Sequence, residues 1–382
     1  MQPGRGFGAE FDEDLLDDPG RLEATDSGGL LRAAATAGAQ VRSTAAAAEE
    51  ADLRRLAGER PRALVLLTRP GAAPAAAPLL LALLGPSCPV PVATTRSVPM
   101  WVGALDIVLA NTTDPGDREL AEDIDRALRR GAQVVLTAPA EGPVAAAAAG
   151  RSVLLVPRIE VPPSLVLPRT LTAGLLLLNT LELLATDAEE LAGELDREAE
   201  RDHVAHESLV NPAKSLALRL RERTPLLWGT DPVSTAVAGH CVAALAAHAG
   251  VVAHAAGFHE TAALPVLRQQ ATRASGEAEV FRDPFEDRFA EQSRSGLPPM
   301  RPVLLGVPHD PRNALERVAA SDALPGADVV TADEELMVRH GDPGAAACAA
   351  AVLALRFDFA ALYLGLSRGV LGGPGRIGFT VG

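Results

Sequence analysis

One stretch, residues 104–138, constrains the fold more than any other. An apolar run over 105–109, broken only by Asp106, meets the polar turn Asn111-Thr112-Thr113-Asp114-Pro115-Gly116-Asp117. A charged segment follows, then a second apolar run, 133–137. Within the charged segment Leu120, Ile124, Ala127 and Leu128 recur at helical spacing, acidic residues come early, and Arg129, Arg130 and Gly131 close the end. Strand, loop, helix and strand in this order make one βαβ unit. A short loop of hydroxyls and amides entering a helix suits a phosphorylated ligand, because unsatisfied N–H groups and the helix dipole both point at the anion. Asp114 and Asp117 in the same loop oppose such a ligand.

The same plan recurs along the chain. Residues 63–67 read as a strand, Arg69-Pro70-Gly71 as a turn and 75–84 as an apolar helix, with further strands at 90–94 and 152–156. Strand and helix alternate as in a parallel sheet covered on both faces. Residues 187–206 are charged and helical in pattern and form a connector. A second series then offers helices at 211–221 and 237–250, strands at 225–228, 251–253, 303–307 and 329–331, and a long Ala/Leu-rich helix over 345–368 interrupted by Arg356 and Asp358. Two successive α/β halves of similar size suggest an internal duplication. The expected division is an acidic N-terminal tail and helix over 1–58, a first domain over 59–186, a connector over 187–210 and a second domain over 211–382. Within the tail, Phe11, Leu15 and Leu16 are the residues able to dock on the body.

At 382 residues the chain exceeds the usual size of one domain, which agrees with two cores. Its net charge of −14 disfavours nucleic acid or an anionic membrane as the main partner, so an anionic substrate needs a local positive site. Cys88, Cys241 and Cys348 are scattered without CxxC or histidine spacing, which argues against a zinc site or a disulfide framework and fits a reducing cytoplasm. No metal or other cofactor is expected. The N-terminus is acidic where a signal peptide is basic, and the apolar run 171–184 is too short and too interrupted to span a bilayer. No GxGxxG or phosphate-binding P-loop follows any strand, which sets a nucleotide-binding reading aside.

In the second half, Asn211-Pro212-Ala213-Lys214, the run Pro225-Leu226-Leu227-Trp228-Gly229, Gly257-Phe258-His259-Glu260 and above all Leu362-Tyr363-Leu364-Gly365-Leu366-Ser367-Arg368-Gly369-Val370 resemble the C-terminal domain of bifunctional phosphoglucose/phosphomannose isomerases. The likeness extends over about residues 60–382 and is nearest the actinobacterial SIS-domain branch. Those proteins carry two sugar-isomerase (SIS) domains in tandem, so the resemblance implies an α/β fold of two SIS domains, each a parallel sheet flanked by helices. It also implies aldose–ketose isomerisation of glucose 6-phosphate or mannose 6-phosphate. In that chemistry a histidine opens the ring, a glutamate moves the proton through an enediol(ate), and an arginine stabilises the oxyanion.

By this resemblance His259 is the candidate for ring opening, against a plain surface histidine. Arg169 is the candidate for holding the enediolate, against a helix-end arginine in a salt bridge. No carboxylate lies between Asp231 and Glu260, where the family places its base; Ala243, Ala244 and Leu245 stand there, so Glu260 is the substitute. The family's phosphate loop, Ser-x-Ser-Gly-x-Thr-Glu, corresponds to residues 111–117, with Asn111, Thr112, Thr113 and Gly116 as ligand candidates. Its Gly-x-Gly-Gly-Ser turn corresponds to residues 68–72, with Thr68 and Gly71. The family's C-terminal lysine has no counterpart, since Lys214 is the single lysine.

Two readings remain open: a phosphosugar isomerase with an eroded site, or an inactive SIS module that binds a sugar phosphate, regulates or forms a scaffold. The missing carboxylate on the 236–250 helix separates them. The long C-terminal helix must be covered on most sides, either by its own domain or by a second copy in a homodimer.

Overall fold

The computed structural model describes residues 11–69, 75–276, 299–307 and 311–372. The N-terminal segment docks as its apolar residues suggest: Leu15 and Leu16 are buried, and the Asp12 N–H donates to the Ser367 carbonyl at 2.9 Å. Helices α1 (Pro19–Thr25), α2 (Leu30–Ala35) and α3 (Ala37–Glu50) follow, so the one helix expected within 1–58 is several shorter ones.

The first sheet has the order β2-β1-β3-β4-β5, all parallel: β1 (Ala63–Leu67), β2 (Val92–Thr95), β3 (Asp106–Asn111), β4 (Gln133–Thr137) and β5 (Val153–Leu155). Its central strands are apolar on both faces because both faces are covered. Val65, Val108 and Val134 pack under α5 (Arg118–Arg129) and α6 (Pro143–Ala148). Leu64, Leu66, Ile107 and Leu109 point the other way, into a core shared with α4 (Ala76–Leu84) and α7 (Leu167–Thr180).

Helix α8 (Ala188–Arg201) forms the connector and α9 (Pro212–Leu220) leads into the second sheet. That sheet is again parallel, in the order β7-β6-β8-β9: β6 (Thr224–Gly229), β7 (His254–Gly257), β8 (Met300–Gly306) and β9 (Asp328–Thr331). Counting from each first strand, β6, β7, β8 and β9 repeat the arrangement of β1, β2, β3 and β4. The crossovers include α10 (Pro232–Ala244), α11 (Pro265–Gly276) and α12 (Pro311–Ala323), and α13 (Glu334–Met337) precedes the last helix, α14 (Pro343–Ser367). Asn211, Asp231 and Asp342 each cap a helix whose first residue is proline, a pairing of N-cap acceptor and fixed φ that starts a helix sharply.

The expected strand at 251–253 lies three residues further on. Helix α10 runs on through a π-helical turn, Leu245–Ala249, and Gly250 at φ +60° reverses the chain before β7 begins. Helices α11 and α12 carry weaker amphipathic patterns that the sequence reading does not single out. By length and composition, Pro232–Ala249 and Pro343–Ser367 are apolar enough to cross a membrane, and the second is buried within the protein along its whole length. Helices α2, α4, α8, α9 and α10 enclose α14, so its cover comes from its own chain.

Candidate functional site

The loop after β3 is closed by its own side chains. The Asp117 carboxylate accepts the Leu120 N–H at 2.9 Å, capping α5, and pairs with the Arg69 guanidinium through Nε at 2.9 Å and Nη2 at 2.7 Å. Arg69 reaches Glu119 as well, at 3.3 Å. An anion approaching this helix end therefore meets a carboxylate already seated on it, with the local cation engaged. Asp114 accepts the Gly116 N–H at 2.7 Å, and the Thr112 hydroxyl bonds the Asp114 backbone. Thr113 follows Thr112 in the same loop. Thr68 donates its hydroxyl to the Thr95 carbonyl at 3.3 Å, and Gly71 lies outside the described residues. At the same carboxyl edge, Thr95 Oγ1, Asn111 Oδ1 and Thr137 Oγ1 are buried and make no hydrogen bond to a described residue.

Arg169 sits in the first turn of α7, buried, and donates to the Ile159 carbonyl at 3.2 Å. Burial alone moves its pKa down to about 10. His259 and Glu260 lie exposed on the turn after β7, where the Glu260 carboxylate accepts the Gly257 N–H at 3.0 Å and His259 packs edge-on to Phe258. No contact among the described residues joins Arg169 to either of them.

The other site is a cavity of about 1000 Å³ between the two halves. Its walls are α4 and the turn after it (Ala75, Pro78, Leu81, Pro86), one face of α10, and the start of α12. The α10 face presents Ala236, Gly239, His240 and Ala243, residues three and four apart and hence neighbours on one stripe of the helix. Of Ala243, Ala244 and Leu245, which stand where the resemblance expects the family's carboxylate base, Ala243 lines the cavity with a methyl group. One turn earlier stands His240, whose Nε2 lies 2.9 Å from Asp358 Oδ1 on α14, with both side chains buried. Arg312, Asn313 and Glu316 bring polar groups from α12, and Asn313 Nδ2 makes no hydrogen bond to a described residue. A concave, largely apolar chamber with a few converging polar groups is the usual form of a small-molecule site.

The sequence reading does not select His240. The available signal is Asp358, which with Arg356 interrupts a long apolar helix, because a buried charge requires a partner. Among the described residues, no group of three or more His, Cys, Asp or Glu side chains forms a metal site.

Several residues that carry the isomerase resemblance make structural contacts in the second half. The Lys214 ammonium is buried, donates to the Val204 and His206 carbonyls at 2.8 and 2.6 Å, and lies over the Tyr363 ring. Its pKa is lowered by burial. The Tyr363 hydroxyl donates to the Asp202 carbonyl at 2.5 Å, and Arg368 donates to the Ala249 carbonyl at 2.9 Å, holding the π-helical turn. Gly365 is there for closeness, since a Cβ on it would lie 2.0 Å from the His248 carbonyl oxygen. Gly369, at φ +62°, ends α14 in the left-handed conformation.

Two parallel sheets with a repeated strand order and helices on both faces define the class, an α/β fold whose arrangement fits tandem SIS domains. Residues 209–374 match the family described as the bacterial phospho-glucose isomerase C-terminal SIS domain. Solved structures share the fold at low identity. A Bacillus subtilis protein assigned as a phosphosugar isomerase superposes with TM-score 0.56 at 16% identity, covering 90% of this chain and 97% of its own. A hypothetical protein from Thermus thermophilus gives 0.59 at 13%, covering 96% of each chain. The tagatose-6-phosphate ketose/aldose isomerase of Escherichia coli gives 0.54 at 10%, covering 91% and 95%. No curated protein matches the sequence significantly.

Proposed function

We propose that this chain is a phosphosugar-isomerase-type SIS protein that takes a sugar phosphate into the cavity between its halves, with no metal or other cofactor. The observation that carries the reading is the contrast between a loop closed by Asp117 and Arg69 and an open chamber of about 1000 Å³ on the α10 face. The sequence resembles the bifunctional phosphoglucose/phosphomannose type, so glucose 6-phosphate, mannose 6-phosphate and fructose 6-phosphate are the ligands to try. The exposed His259 and Glu260 take part only where another surface, such as a second copy, brings a sugar to the turn after β7.

A second reading keeps the ligand at the first sheet. The buried oxygens of Thr95, Asn111 and Thr137 support it, as does Arg169, which has a carbonyl contact and no carboxylate partner among the described residues. Under that reading Asn111, Thr112, Thr113 and Gly116 act on the phosphate.

Thermal unfolding with each sugar phosphate and its unphosphorylated counterpart tests the ligand class. A ligand that binds the folded state raises Tm in proportion to the logarithm of its excess over Kd. The proposal expects a rise with a phosphorylated sugar alone, and no rise with any of them contradicts it.

A further inference from the structure

We propose that His240, held by Asp358 and lining the interdomain cavity, is the proton-transfer group of this protein. The inference rests on the reading of the cavity as the sugar-phosphate site. A carboxylate only accepts hydrogen bonds, so Asp358 at 2.9 Å assigns the ring hydrogen of neutral His240 to Nε2 and leaves the lone pair on Nδ1. Nδ1 makes no hydrogen bond to a described residue, and the ring lines the chamber. An imidazole with an oriented tautomer, a backing carboxylate and a face on a cavity is the arrangement of a general base. It stands one turn from Ala243, in the neighbourhood where no residue matches the family's base, so a histidine supplies the α10 face with a proton acceptor.

The step balances without a co-reactant. With an open-chain aldose phosphate in the cavity, the C2–H bond breaks and its proton passes to Nδ1. The electron pair forms the C1=C2 bond of an enediolate. Return of the proton to C1 forms the new C–H bond, while the hydroxyl proton moves from O2 to O1. His240 ends neutral, as it began. Asp358 is a positioning residue, which fixes the ring and favours the imidazolium that forms. Among the described residues, other titratable or charged groups around the pair include His248 in the π-helical turn, Cys241 beside Asp358, and Arg312 and Glu316, which line the same cavity.

The experiment is exchange of solvent deuterium into C1 and C2 of glucose 6-phosphate, mannose 6-phosphate and fructose 6-phosphate in D₂O, followed by proton NMR, with binding measured in parallel. Wild type is expected to exchange. His240→Gln, which keeps a donor toward Asp358, is expected to bind the sugar and to exchange at least about 10²-fold more slowly. Asp358→Asn, which no longer fixes the ring tautomer, is expected to slow exchange by at least about 10²-fold at unchanged sugar affinity, whereas a purely structural role would weaken affinity and Tm together. Gly239→Leu provides a route independent of the buried pair. A Cβ on Gly239 meets no atom within 4 Å, so a leucine there projects into the chamber and obstructs the sugar, and exchange should stop. Binding without exchange in wild type, or unchanged exchange in His240→Gln, overturns the role of His240 and leaves the binding reading standing. Absence of binding overturns both.

Discussion

At the carboxyl edge of the first sheet Asp117 caps α5 and is neutralised by Arg69, whereas at the edge of the second sheet Asp231 caps α10 from inside the protein, through Ser234 and the Val307 N–H. The first arrangement consumes the loop's own cation and helix end. The second leaves the outer face of α10 unobstructed, and the cavity forms there with His240 and Asp358 beneath it. The two halves differ in the same way in their cores. Around α14 the second half encloses Arg356, bonded to Glu198 at 2.5 and 3.1 Å and to the Thr331 carbonyl, with Asp202 close by. The two sheets share their plan, then, but their chemistry depends on which polar groups the surrounding fold leaves without a partner.

The largest effect expected from breaking this comparison is that of Arg356→Met. It removes the cation beside the buried carboxylates of Glu198 and Asp202, and losing one partner of a buried pair costs about 3–5 kcal/mol. Urea unfolding checks it, and a loss no larger than that of Arg69→Met would show that the second half's buried charges are not special. Asp117→Ser should be milder, about 1–2 kcal/mol from the lost charge-assisted bonds, because serine still caps α5. The same change opens the loop and leaves Arg69 with only its longer contact to Glu119, so inorganic phosphate should bind the variant more tightly than wild type in calorimetry; equal affinity would mean the loop was never closed by its own carboxylate.

The smallest effect is a change of slope with pH. The Asp202 carboxyl is held well above its ordinary range, first by burial and then by the nearby Glu198 charge. The folded chain therefore keeps a proton that the unfolded chain has released, so stability is greatest below the unfolded value and falls as pH rises towards the folded one. Asp202→Asn keeps an acceptor for the Ala213 N–H, which now reaches Oδ1 at 2.9 Å, and should flatten that fall as pH rises above the unfolded carboxyl value. Parallel slopes for the two proteins would contradict this protonation state.

Much of the fold was legible because it is local. Strands Ala63–Leu67 and Gln133–Thr137 stand where their apolar runs put them, and Asp117 precedes α5 as an N-cap should. The displaced strand β7 was not, because the π-helical turn that delays it depends on Arg368 and Gly365, more than a hundred residues later. The isomerase-like motifs pointed to the fold through packing: Lys214, Tyr363 and Gly365 hold helices together rather than touch the cavity. The pair at the heart of the proposed site is a contact 118 residues apart in sequence, and only the anomaly of Asp358 in an apolar helix hinted at it.

The most direct measurement is calorimetric titration of glucose 6-phosphate into wild type, Gly239→Leu and Thr112→Ala. If the cavity between the halves is the ligand site, Gly239→Leu abolishes binding at unchanged Tm while Thr112→Ala binds as wild type does. Binding that survives Gly239→Leu and is lost in Thr112→Ala would place the ligand at the first sheet and contradict the account.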